Sequence, residues 1–171
     1  ETTLLREGYS LFPGKLSTAA YYYIVRQGRM IFRAYGVTFI TTLVGTSMSV
    51  LICTMLAYPM ARSSFKYRNA LAFFVFFTML FSGGTVPSYI MWTRVFHIKN
   101  TIFALIMPNY LVAAFNVILI KNYYSNNIPE SLVEAAQIDG AGELKIFYQI
   151  MLPLAKPVVA TISLFTGLCY W

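Results

Sequence analysis

Four long stretches without a charged side chain constrain this chain more than any other feature. They cover residues 34–61, 69–93, 100–120 and 157–171, and run for 28, 25, 21 and 15 residues. An α-helix rises about 1.5 Å per residue, so about 20 apolar residues cross the roughly 30 Å of hydrocarbon in a bilayer. The first three stretches are long enough to span a membrane. The fourth reaches Trp171 without a stop signal, and the chain has no initiator Met. The expectation is a fragment of a larger polytopic membrane protein, with no signal peptide in what is seen.

Composition supports the same class. Of 171 residues, 11% are charged and 58% hydrophobic, against about 25% charged in soluble globular proteins. Such a chain is not disordered, because disorder needs low hydrophobicity and high charge. Two cysteines cannot build a disulfide-dense scaffold or a four-cysteine zinc site, and one histidine cannot supply a paired-histidine site. No metal or cofactor is expected. The net charge of +7 is spread through loops between apolar runs, so no nucleic-acid partner is expected. Leu16 follows Gly14-Lys15 where a phosphate loop needs Ser or Thr, so no nucleotide site is expected either.

Residues 1–36 read as a polar, aromatic-rich lead-in, outside the cytoplasm if residues 121–156 face it, in which Tyr21, Tyr22 and Tyr23 suit a membrane–water boundary. Spans are expected at about 37–60, 69–91 and 101–120, with a truncated one at 157–171. In the first, Thr41, Gly45, Ser49, Cys53, Ala57 and Ala61 recur every fourth residue. That repeat lays small side chains along one helix face, where a neighbouring helix can approach closely. In the second, Gly83, Gly84 and Pro87 should kink or interrupt the helix. The bend is either simple or lines a cavity, since irregular backbone in a membrane needs cover from protein or water. The third is interrupted by Pro108, Asn109, Tyr110 and Asn116. Its amides either bond between helices or line a polar path. Tyr89, Asn109, Tyr110 and Asn116 are the candidates for a solute path.

Residues 121–156 are too polar to span and too patterned for a linker. They hold Glu130, Glu134, Asp139 and Glu143, four of the six acids in the chain. Pro129 and Glu130 suit the first turn of a helix. Gly140, after Asp139, can take a positive φ and stop that helix. A second short helix is expected from Glu143 to Ile150, with Leu144, Phe147 and Ile150 on one face and Pro153 ending it.

Glu134-Ala135-Ala136, Gly140, Ile150 and Leu152-Pro153 stand at the spacing of a known motif. The segment resembles the EAA loop of permease subunits of binding-protein-dependent ABC importers. Asp139-Gly140-Ala141, Leu152-Pro153-Leu154 and Ser82-Gly83-Gly84 resemble the carbohydrate-uptake branch, with its MalG-like and LplC-like permeases. The resemblance implies an all-α polytopic bundle, the MetI-like transmembrane domain of a type I importer, here lacking its first and last spans. It implies that Glu134, Ala135, Ala136, Asp139, Gly140, Ile150, Leu152 and Pro153 belong to a coupling loop that docks on an ATPase. Ala135 and Ala136 would keep the docking surface low, and Glu134 would meet a basic partner.

The resemblance further implies a multi-pass protein of the bacterial cytoplasmic membrane that catalyses no chemistry. Its partners would be a cytoplasmic ATPase dimer that holds the ATP, a second permease forming a heterodimer, an extracytoplasmic solute-binding protein, and the lipid bilayer. The solute would be a sugar or oligosaccharide. Alternatives are a permease for amino acids, peptides or anions, or a structural multispan protein. If residues 121–156 face the cytoplasm, that side holds six Lys and Arg and the other seven. The positive-inside rule gives that orientation no support.

Overall fold

The structure is a computed structural model that describes residues 18–81, 83–108 and 111–171. Every regular element among them is helical, as the sequence predicts. In chain order these are α1 (Ala19–Arg26), α2 (Gly28–Ala61), α3 (Arg68–Leu80) and α4 (Thr85–Ile90), which runs on into a π turn, Met91–Val95. There follow α5 (Ile102–Ile106), α6 (Ala114–Asn127), α7 (Glu130–Ile138) and α8 (Glu143–Ile146). A second π turn, Phe147–Met151, joins α8 to α9 (Leu152–Leu154), and α10 covers Lys156–Tyr170. The chain falls into two compact units that part between Gly36 and Val37.

Helix α2 has 34 residues and by itself is long and apolar enough to cross a membrane. Its small-residue stripe faces inward: Thr41, Gly45, Ser49, Cys53 and Ala57 are buried. Leu43, Met48, Leu51 and Met55 on other faces are exposed, as a lipid-facing surface would be. Gly45 shows why the stripe is small. A Cβ there would lie 2.8 Å from Cζ of Tyr170. The Tyr170 hydroxyl donates to the Ile106 carbonyl at 2.9 Å, so one ring ties α2, α5 and α10 together.

The second apolar stretch is a broken pair. Helices α3 and α4 meet at 110°. Phe81 is extended and Gly84 has φ +85°, a conformation glycine enters without steric cost. Pro87 lies in the first turn of α4, where its missing N–H breaks no helical bond.

The third stretch is interrupted at Pro108, as the sequence leads one to expect, and differs from the expectation at its far end. It is two helices, α5 and α6, separated by a segment that contains Pro108. Moreover, α6 continues through Lys121 to Asn127, seven residues past the expected edge of the span. A charge marks where a helix leaves the apolar layer and does not unwind it. The helix stops only where Ile128 turns extended ahead of Pro129. The extra turns are anchored by Tyr124, which is 1% exposed.

The core is built by α2, α3, α6, α7, α8 with its π turn, and α10, through Cys53, Val75, Ile120, Val133, Ile146 and Ile162. A buried polar link crosses the apolar region: Asn116 Nδ2 donates to Thr166 Oγ1 at 3.2 Å, joining α6 to α10.

Candidate functional site

The candidate site is the hairpin of α7 and α8. Pro129 caps the start of α7 and Glu130 opens it, so a carboxylate sits at the positive end of the helix dipole. Its far end closes as a Schellman motif. Gly140 takes φ +78°. Its N–H bonds the Gln137 carbonyl at 3.0 Å, and the Ala141 N–H bonds the Ala136 carbonyl at 2.9 Å. Both are the bonds that define this stop. The sequence-based reading of Pro129, Asp139 and Gly140 matches this geometry.

The motif residues divide between two faces. Glu134, Ala135 and Asp139 are exposed, as is Ile138 at 87%. Val133 is buried, and Ala136 packs partly buried on the core. Of the two alanines expected to keep a docking surface low, only Ala135 lies on the exposed face. The small side chain of Ala136 lets α7 sit close to its own protein. Ile150 and Leu152 also pack partly buried on the core, while Pro153 is exposed.

Two local expectations are corrected. Pro153 does not end the second helix. The Ala155 N–H still bonds the Met151 carbonyl at 3.0 Å, and the chain bends only after Leu154, by 80°, into α10. In an α-helix the proline ring would meet the carbonyl four residues back; the π turn that precedes Pro153 widens the ladder there. The buried face also differs from the expected one. Ile146, Phe147 and Met151 are buried and Leu144 is 66% exposed. A π turn lengthens the repeat beyond four residues, so a three-residue phase no longer marks one face.

The structure adds a clasp that sequence reasoning missed. Arg62, in the turn after α2, is buried, and its Nη1 lies 3.1 Å from Glu143 Oε2. Nη1 also donates to the Tyr58 hydroxyl at 2.8 Å, and that hydroxyl donates to the same Glu143 oxygen. Gln137 Nε2 donates to the other oxygen, Oε1, at 2.8 Å. At the opposite end of α7, Glu130 Oε1 accepts from the Ser63 N–H at 3.2 Å and from the Ser63 hydroxyl. The Ser63 hydroxyl, and then the nearby charges of Arg62 and Arg68, hold the Glu130 carboxyl below its ordinary 4.5. Residues 62 and 63 thus grip the hairpin at both ends of α7. The available signal was an Arg at the end of a charge-free run and unassigned acids downstream, which gives no register.

Of the four candidates for a solute path, Tyr89 and Asn116 are among the described residues. Tyr89 is 61% exposed, and Asn116 is buried against Thr166. Asn109 and Tyr110 lie outside the described residues, as does Ser82 of the bend.

Residues 49–167 match the family described as binding-protein-dependent transport system inner membrane component. The chain belongs to that family. Among relatives of this inner membrane component in Bacillus subtilis (strain 168), the polygalacturonan/rhamnogalacturonan transport system permease protein YtcP is 40% identical over 163 residues, covering 95% of this chain and 56% of its own length. Protein LplC of the same organism is 37% identical over 171 residues, covering 100% and 57%. A bacterial ABC transporter involved in the import of the acidic polysaccharide alginate contains a chain that superimposes with TM-score 0.82 at 29% identity, covering 99% of this chain and 59% of that one. The present chain therefore spans less than two thirds of each of these relatives. The name of YtcP describes a transport system permease, and the MetI-like all-α fold expected from the sequence is the fold found.

Proposed function

We propose that this chain belongs to a permease subunit of an ABC importer for a sugar or oligosaccharide, seated in the bacterial cytoplasmic membrane. The observation that carries the reading is the α7 hairpin: it presents Glu134, Ala135 and Ile138 outward while its other face and both its ends are fastened to the membrane-spanning helices. The solute class rests on the names of the relatives.

In this reading the outward face of α7 docks on a cytoplasmic ATPase dimer that binds ATP. A second permease completes the path, and an extracytoplasmic binding protein delivers solute. Closure of the ATPases displaces α7. The Ser63–Glu130 and Arg62–Glu143 contacts pass that displacement to the end of α2, and the helices shift between two arrangements that the two partners favour differently. Tyr89, Asn109, Tyr110 and Asn116 contribute to the solute path, which alanine at all four should alter.

The test of the coupling role is Gly140→Arg in the full-length protein. It should abolish uptake of radiolabelled oligosaccharide while the protein stays in the membrane and the ATPase no longer co-purifies with it. Normal uptake by this variant refutes the assignment.

A further inference from the structure

Three arginines stand outside everything described so far. Arg26 ends α1, and Arg29 and Arg33 lie one helical repeat apart on α2, so the latter two share a face. With Gln27 and Met30 the three line one open recess of about 580 Å³. The joint between the helices stays hydrogen-bonded: the Gln27 N–H bonds the Tyr23 carbonyl at 3.1 Å, and the Met30 N–H bonds the Gln27 carbonyl at 2.9 Å. The arginines are therefore presented by continuous, ordered backbone.

All three side chains are exposed, and none makes an ion pair with a described residue. The carboxylates nearest to them in sequence are Glu7 and Glu130. A guanidinium stays charged at any pH a protein meets, so three like charges share one recess without a counter-charge among the described residues. Around them Tyr21, Tyr22, Tyr23, Met30 and Phe32 are also exposed. The charge-free stretch begins at Ala34, directly after Arg33. Basic side chains among exposed aromatics, at the point where a membrane-crossing helix turns apolar, lie at the depth of lipid headgroups.

We propose that Arg26, Arg29 and Arg33 form a binding surface for anionic phospholipid headgroups. A phosphate can accept paired N–H bonds from one guanidinium, and neighbouring arginines share its charge. Tyr21 to Tyr23 and Phe32 sit beside the acyl–headgroup boundary. The proposal also accounts for the charge distribution. Three of the seven basic residues on the side opposite the hairpin are neutralised by lipid, so they do not oppose the orientation that the hairpin requires.

The experiment is native mass spectrometry of the full-length protein released from nanodiscs of phosphatidylcholine with one third phosphatidylglycerol. The wild-type protein should retain phosphatidylglycerol preferentially. Replacing Arg26, Arg29 and Arg33 together by Gln should lower its affinity for phosphatidylglycerol by about 100-fold at low ionic strength, with phosphatidylcholine retention unchanged. Replacing the same three by Lys should keep most of the preference, since the charges remain. Raising the salt should release phosphatidylglycerol from the unaltered protein, which reads the proposal without any variant. Equal phosphatidylglycerol retention by the wild-type and Gln proteins overturns it. So does a Gln variant that keeps its phosphatidylglycerol but loses affinity for its solute-binding protein in phosphatidylcholine-only nanodiscs; the patch would then be a protein-docking surface. Neither readout depends on transport.

Discussion

The Arg62–Glu143 pair is unequally buried, and this predicts unequal consequences for its two halves. The Arg62 side chain is 9% exposed and that of Glu143 59%. In Glu143→Ala the guanidinium stays buried with only the neutral hydroxyls of Tyr58 and Ser64 as partners. That costs about 3 kcal/mol, the lower end for breaking a buried pair from one side. In Arg62→Met the carboxylate rehydrates, and the methionine fills the space of the arginine stem. The loss is about 1 kcal/mol, because a pair with one exposed partner is screened. The double variant should cost about as much as Arg62→Met alone, which gives a coupling energy of about 3 kcal/mol. The assay is hydrogen exchange at the Ala141 and Ile146 amides, whose bonds to Ala136 and Gly142 hold the hairpin. Local opening should rise about 150-fold in Glu143→Ala and about fivefold in Arg62→Met. Gln137→Ala isolates the bond that Glu143→Ala also removes. Equal effects of the two single variants, or additive effects in the double, would refute the reasoning from burial.

Three further outcomes are expected. Gly45→Ala places a methyl 2.8 Å from Tyr170, whose ring is held by its bond to Ile106, so it should destabilise the bundle by about 1–3 kcal/mol; a melt in detergent reads this, and adding Tyr170→Leu should restore most of the loss. Thr166→Val leaves the buried Asn116 amide without its partner across α6 and α10 and should cost about 1 kcal/mol in the same melt, whereas Thr166→Ser should cost little. Because Ser63 and nearby cations lower the Glu130 pKa, the Ser63–Glu130 contact contributes its full stability above the unfolded carboxylate value and loses it as pH falls through the lower folded value. Exchange at the Ser63 amide, corrected for intrinsic rate, should therefore increase only below pH 4.5, and Glu130→Gln should abolish that dependence.

Much of the fold was legible because its causes are local. Charge-free runs of 20 residues and more admit few structures besides helices in a bilayer, because backbone polar groups there must be satisfied within the segment. The four-residue repeat of small side chains from Thr41 to Ala57 named the inward face of α2 in advance. Gly140 declared the end of α7, since φ +78° costs a glycine nothing and any other residue strain. Each of these rules acts within a turn or two of helix.

The rest was decided by packing. Arg62 meets Glu143 across 81 positions, and Ser63 meets Glu130 across 67; no local pattern selects which acid faces which base once helices are free to rotate. The π turn at Phe147–Met151 brings Met151 onto the buried face beside Ile146 and Phe147, while Leu144 is left exposed. The 110° between α3 and α4 likewise exceeds what two glycines and a proline specify, since they permit a bend without setting its angle. The sequence by itself determined the class of element, the helix stop at Gly140 and the family. Tertiary structure alone decided which face of the hairpin looks outward and what holds it, because those depend on contacts between segments whose positions are set only when all the helices pack together.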